Sequence, residues 1–141
     1  MTAALIITVG LIIVFSGFAL GMFAIGTVVA IDDETLMDAV TALSGSGPAY
    51  VFLLAEAMEA AGIAAGLPTA LARQLAQATV SGAGALIEAA DEPPSVLREN
   101  VTSKGGTTAA ALDVLMSENG FSLLVKRAVQ SAKARSVELG A

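Results

Sequence analysis

Cysteine, histidine and tryptophan are absent from the 141-residue chain. Without Cys and His there are no disulfides, thiol nucleophiles, imidazole acid–base groups or zinc sites of the usual nitrogen and sulfur type. Any chemistry falls to carboxylates, hydroxyls, lysine, the single tyrosine Tyr50, backbone dipoles or a cofactor, and no metal site is expected. Charge is scarce too, at 14% of residues, and 7 basic against 13 acidic side chains give a net −6. A backbone-phosphate partner needs the opposite sign, so no nucleic-acid partner is expected. What fills the chain instead is apolar. Hydrophobic residues make up 55% and the mean hydropathy is +0.78, which excludes a disordered polymer, and the length suits one domain with a real core.

The charges divide the chain in two, because none precedes Asp32. Residues 1–31 read as an apolar segment and residues 32–141 as a helical domain. Within the first, residues 3–20 (AALIITVGLIIVFSGFAL) have about the length and apolarity of one bilayer span. No Lys or Arg flanks them, so the rule that orients spans by positive charge has nothing to act on. The β-branched clusters at 6–9 and 12–14 suit two short strands, or a helix buried in a subunit interface, equally well. A third reading is an aberrant N-terminus left by truncation. Residues 26–31 (GTVVAI) predict a short strand, ended by Asp32 and Asp33.

Helical periodicity begins there. Asp32 or Asp33 caps a helix carrying Leu36, Met37, Val40 and Leu43, and residues 44–48 (SGSGP) break it. Ser46 caps the next helix, with Pro48 in its first turn, running to about residue 61. It is apolar on nearly every face, Glu56 and Glu59 being its only charges, so it must be packed on several sides. Gly62 and Gly66 punctuate the link to a long helix from Pro68 to residue 89. Its small residues, Gly82 and Gly84 among them, predict the close approach of a neighbouring helix. Further helices are predicted at 93–101, 108–116 and 121–139, the last amphipathic with Phe121, Leu124, Val125, Ala128, Val129 and Ala132 facing a core.

Two Gly-rich segments are candidates for chemistry, residues 44–50 (SGSGPAY) and 100–108 (NVTSKGGTT). In the second, two glycines and two threonines at a helix start would direct backbone N–H groups and hydroxyls to one point at the positive end of the helix dipole. That is an anion site for a carboxylate or phosphate. From spacing alone the plainer reading is the stronger one, a turn in which Thr107 caps the next helix. SGSGPAY fits a helix–turn–helix link. Neither segment matches a phosphate-binding Walker loop or a dinucleotide fingerprint. Glu56 and Glu59 read more simply as a solvated strip than as a catalytic or ligating pair, as do Asp91 and Glu92 as a turn. Tyr50 packs with its hydroxyl at a rim. Lys104 is either a charge beside the anion site or an exposed loop lysine.

Residues 36–62 (LMDAVTALSGSGPAYVFLLAEAMEAAG), the GLP at 66–68 before a long helix, and residues 97–115 (LRENVTSKGGTTAAALDVL) resemble the C-terminal helical domain of pyrroline-5-carboxylate reductase, over about residues 27–141. The resemblance implies an all-α bundle forming an interlaced homodimer, assembled further into a larger ring in many members, in a cytoplasmic enzyme of proline biosynthesis. It implies hydride transfer from NADPH or NADH, held by an N-terminal Rossmann domain, to the C=N carbon of 1-pyrroline-5-carboxylate, giving L-proline. Residues 27–31 resemble the last strand of that Rossmann domain, whereas residues 1–22 do not resemble it. The chain is accordingly expected to be inactive alone. The family's substrate loop falls on Ser103, Gly105, Gly106, Thr107 and Thr108, whose N–H and hydroxyl groups would hold the substrate carboxylate. Thr108 would also lie near the imine nitrogen, as the candidate catalytic residue in a positioning role. The family usually has Pro where Lys104 stands. Two rival readings are a non-catalytic interaction module anchored in a membrane by residues 3–20, and a carboxylate-binding protein without chemistry.

Overall fold

The computed structural model describes residues 6–8 and 28–140. Two short strands, β1 (Ile6–Thr8) and β2 (Val28–Ala30), pair antiparallel with Ile7 opposite Val29. The strand predicted at 26–31 is therefore present, and the β-branched cluster at 6–8 is its partner. The rest of the apolar run at 3–20 lies outside the described residues, and with it the membrane-span reading. Among the described residues no helix is long and apolar enough to cross a membrane.

Beyond this strand pair the described chain is helical, as expected for an all-α domain. Asp33 opens it: its Oδ1 accepts from the Thr35 N–H at 2.9 Å and from the Thr35 hydroxyl at 2.6 Å, closing a 3-10 turn at Glu34–Leu36. These bonds hold the Asp33 carboxyl below its ordinary pKa, the hydroxyl contributing most. The turn continues into α1 (Met37–Val40) and then a π-helical turn, Thr41–Gly45, closed by the Ser46 N–H on the Thr41 carbonyl at 2.9 Å. The predicted break at 44–48 is thus a widened helical turn. The i→i+5 bond absorbs an extra residue without opening the helix, a geometry associated with functional sites.

Helix α2 (Gly47–Ala64) outlasts its predicted end at 61 because Gly62 fits inside it. A Cβ at Gly62 would lie 3.2 Å from the Ala72 Cβ, so the glycine permits close contact with the next helix, α3 (Thr69–Ala89). The α2 terminus is a Schellman cap. Leu67 N–H donates to the Gly62 carbonyl at 3.0 Å and Gly66 N–H to that of Ile63 at 2.9 Å, with Gly66 at φ +100°. Pro68 then prevents the helix from continuing. Helices α4 (Pro94–Asn100), α5 (Thr107–Leu115) and α6 (Phe121–Gly140) follow, within a residue or two of the predicted bounds.

The chain divides into two compact units, residues 1–49 with 126–141, and residues 50–125. In the first, Ala42 is buried and the Ser136 hydroxyl donates to Asp38 Oδ1 at 2.7 Å, fastening α6 to α1. In the second, Ala72 and Ala76 of α3 are buried. Those three alanines are the whole buried set among the described residues. Helix α2, expected to be packed on several sides, buries no residue, and Phe52 and Leu53 are 66% and 64% exposed. Gly82 and Gly84 meet no neighbour among the described residues: a Cβ at either would have nothing within 4 Å, so none of those residues makes the predicted close approach. On α6, Val125, Val129 and Ala132 are half-buried, but Phe121, Leu124 and Ala128 remain exposed, a narrower core face than predicted.

Gly66→Ala places a Cβ where the left-handed backbone excludes it, and is expected to lower stability by about 1–2 kcal/mol. Gly47→Ala, at a glycine with open space around it and no positive φ, serves as the control. Urea unfolding of both variants checks the difference.

Candidate functional site

The loop at 101–106 joins two helix ends. Thr102 closes α4, its hydroxyl donating to the Arg98 carbonyl at 2.6 Å and its N–H to that of Glu99 at 2.9 Å. The Gly106 N–H then reaches back to the Ser103 carbonyl at 3.0 Å, forming a β-turn with Lys104 and Gly105 at its centre. Gly105 lies at φ +70° while no non-glycine residue among those described has positive φ, the combination of a type II turn. A Cβ at Gly106 would collide with Ser103 Oγ and force that hydroxyl to turn away, and it would lie 3.3 Å from the Ser103 carbonyl oxygen.

Gly106 is also the N-cap of α5, and no side chain caps that helix. The predicted Thr107 cap is therefore replaced by a glycine that supplies no acceptor. The Ala110 N–H is the first to find an intrahelical carbonyl, that of Gly106 at 3.2 Å. The N–H groups of Thr107, Thr108 and Ala109 donate to nothing among the described residues, nor does that of Gly105. Of the predicted donors, Gly106 itself is excluded, since Ser103 holds its N–H. Its contribution is access: without a side chain it leaves the helix start open. Ser103, Gly105 and Thr107 are exposed and Thr108 is half-buried, so the predicted loop residues gather at one accessible helix end whose dipole favours an anion.

Elsewhere the predicted candidates separate into structural roles. Glu59 is not a free solvated carboxylate: Arg73 of α3 donates Nε to its Oε1 and Oε2 at 3.1 and 3.2 Å, with Nη2 at 3.1 Å. The carboxylate raises the Arg73 pKa further. With the Arg73 side of the pair open to water, screening leaves it a small contributor to stability. Glu56 and Glu59 line an open groove of about 410 Å³ between α2 and α3, with Val51, Phe52, Gln77 and Val80. No group of metal-ligating side chains occurs among the described residues. Asp91 and Glu92 are exposed. In the SGSGPAY segment the Ser44 hydroxyl is buried without a hydrogen-bond partner. Periodicity carried no signal for two contacts between distant side chains, Ser136 on Asp38 and Arg98 Nη1 on Met116 Sδ at 3.3 Å.

Helical fold and open helix start together define a helical domain with an uncapped, accessible start to α5 and with broad apolar faces exposed among the described residues. The chain belongs to the pyrroline-5-carboxylate reductase family, through the segment described as pyrroline-5-carboxylate reductase dimerisation, matched at residues 34–139. It is 50% identical over 117 residues to a pyrroline-5-carboxylate reductase of Synechocystis, covering 83% of this chain and 43% of the relative. It is 49% identical over 107 residues to that of Arabidopsis thaliana, covering 76% and 38%. Among solved structures it resembles a Coxiella burnetii pyrroline-5-carboxylate reductase, with TM-score 0.73 and 39% identity over 77% of this chain and 40% of the other. It likewise resembles the Plasmodium falciparum pyrroline carboxylate reductase with NADP bound, with TM-score 0.72 and 38% identity over 77% and 44%. The chain thus spans about two fifths of the length of these relatives.

The described residues do not fit a dinucleotide. Their two strands are antiparallel and three residues long, whereas such a cofactor sits in a crevice at the carboxyl ends of parallel strands, on a Gly-rich turn into a helix.

The turn at 103–106 carries its own test. Lys104 occupies the position that Pro pre-organises in a type II turn, and its N–H donates to nothing among the described residues. Lys104→Pro is expected to raise stability by about 0.4–1 kcal/mol, chiefly by restricting the unfolded chain. Thermal and urea unfolding beside the parent chain measure it.

Proposed function

We propose that this chain supplies the self-associating and substrate-carboxylate-binding part of a pyrroline-5-carboxylate reductase. The observation that carries the reading is the uncapped start of α5, where the Thr107, Thr108 and Ala109 N–H groups lie unused behind the side-chain-free Gly106. A carboxylate seated there takes the place of the missing cap. It accepts from donors that would otherwise be left to water, and the helix dipole adds to the attraction.

In the proposed complex the carboxylate of 1-pyrroline-5-carboxylate rests against these N–H groups, with the Gly105 N–H and the Ser103 and Thr107 hydroxyls beside it. Anchoring one end of a small rigid ring fixes the direction of the other, which is the main service such a site renders to a hydride transfer. The Thr108 hydroxyl is placed next to the imine nitrogen. As a weak acid it orients the proton arriving there more effectively than it supplies one. The nicotinamide cofactor supplies the hydride when bound. The part proposed for residues 28–140 in the reaction is to bind and orient the substrate.

The uncovered apolar faces support self-association as the second half of the reading. The α2–α3 groove, with Val51, Phe52 and Val80 in its walls, is proposed to receive a helix of a second copy.

Calorimetric titration with L-proline tests the carboxylate site. Gly106→Val, which collides with Ser103 and screens the helix start, is expected to weaken binding at least about tenfold, and Thr108→Ala by the roughly 1 kcal/mol of one hydrogen bond. Equal affinity in parent and both variants, each shown folded by circular dichroism, would remove the loop from the account. A separate assay addresses catalysis: the purified 141-residue chain with NADPH and 1-pyrroline-5-carboxylate is expected to give no turnover above buffer, and turnover near that of a complete reductase would contradict the assignment.

A further inference from the structure

Of the 5 methionines in the chain, Met37, Met58 and Met116 lie among the described residues. Met37 and Met58 are half-buried, whereas Met116, the residue that closes α5, is 55% exposed. Its sulfur has a partner. Arg98 of α4 directs Nη1 at Met116 Sδ at 3.3 Å, while its Nη2 lies 3.6 Å from Glu99 Oε1. A thioether is a weak acceptor and a guanidinium a strong donor, so the two halves of this contact are mismatched.

The pair sits where a change in its strength is felt on both sides of the loop. Arg98 belongs to the last turn of α4, where its carbonyl accepts from the Thr102 hydroxyl at 2.6 Å, and Met116 is the C-cap of α5. The contact therefore spans the α4–loop–α5 segment, tying the helix before the turn at 103–106 to the end of the helix after it. A better acceptor carried on the same sulfur tightens that tie and calls on no other side chain.

We propose that Met116 is a site of reversible oxidation by peroxide, and that its sulfoxide oxygen, taken up by the Arg98 guanidinium, fastens α4 to the end of α5. The exposed sulfur attacks one oxygen of hydrogen peroxide with a lone pair. The S–O bond forms as the O–O bond breaks, sulfur gives up two electrons, and the second oxygen leaves as water after taking the proton of the first. The sulfoxide oxygen is a far stronger acceptor than the thioether, and the Arg98 charge strengthens the bond it receives. Oxidation of a methionine within a core disrupts packing, because a flexible apolar group becomes polar. At Met116 the polar product meets water on one side and a cation on the other, so oxidation strengthens the local contact. A methionine sulfoxide reductase restores the thioether.

Brief treatment of the 141-residue chain with hydrogen peroxide, followed by peptide mass spectrometry, is expected to show oxygen added to Met116 several-fold faster than to Met37 or Met58. At equal protein concentration the treated chain is expected to melt about 2 °C or more above the untreated one, and a methionine sulfoxide reductase to return it to the starting value. Met116→Leu, treated alike, reports oxidation elsewhere in the chain and is expected to show no such rise. Arg98→Leu, which keeps the sulfur but removes the donor, is expected to show none either. A second measurement needs no oxidant: Met116→Gln carries a carbonyl acceptor on a side chain of similar length, and is expected to melt above Met116→Leu when Arg98 is present but not beside Arg98→Leu. Oxidation of Met116 no faster than of Met37 and Met58, or a rise that is absent from the parent chain or survives Arg98→Leu, would overturn the proposal.

Discussion

The interaction on which the structure depends is the covering of apolar helix faces that the described residues leave open. Among the described residues only Ala42, Ala72 and Ala76 are buried, and no large side chain is. Phe52, Leu53, Val114 and Leu139 each expose more than 60% of their surface. At roughly 25 cal/mol per Å² of apolar area removed from water, burial is the main term opposing the entropy of ordering a chain. A helix such as α2, apolar on nearly every face and burying nothing among the described residues, lacks that term there. A family named for dimerisation supplies the matching expectation, and the open surroundings of Gly82 and Gly84 suit a helix arriving from outside the protomer.

The candidate site rests on a smaller constraint of the same kind. A helix start leaves N–H donors unpaired, and proteins usually answer with a Ser, Thr, Asp or Asn cap. Asp33 does this at the head of the helical domain, giving its carboxylate to Thr35. Gly106, at the head of α5, does not. The two ends contrast: one helix is closed by its own sequence, the other left without a side-chain cap.

Much of this was legible in the residues, because proline and glycine mark the ends of elements. Pro68, the Pro93–Pro94 pair and the Gly105–Gly106 pair each stand at a predicted helix boundary that the structure reproduces closely. The turn that opens the start of α5 was legible for the same reason. What escaped depends on contacts between elements. Gly62 reads as a breaker until Ala72 is seen packed against it, and residues 44–48 read as a break until the Ser46 to Thr41 bond is seen to continue the helix. The Glu59 to Arg73 pairing joins residues 14 apart on two helices, a relation that helical periodicity does not encode. The loss of the Gly106 N–H to Ser103 needed the turn geometry itself.

The central claim is that folding and self-association are one process. Chemical unfolding followed over a hundredfold range of protein concentration, in 500 mM NaCl to suppress charged contacts, measures it most directly. The account predicts a midpoint that rises steadily with concentration, with sedimentation giving a dimer on the native side of the transition. A midpoint independent of concentration, with a folded monomer below it, would contradict the account.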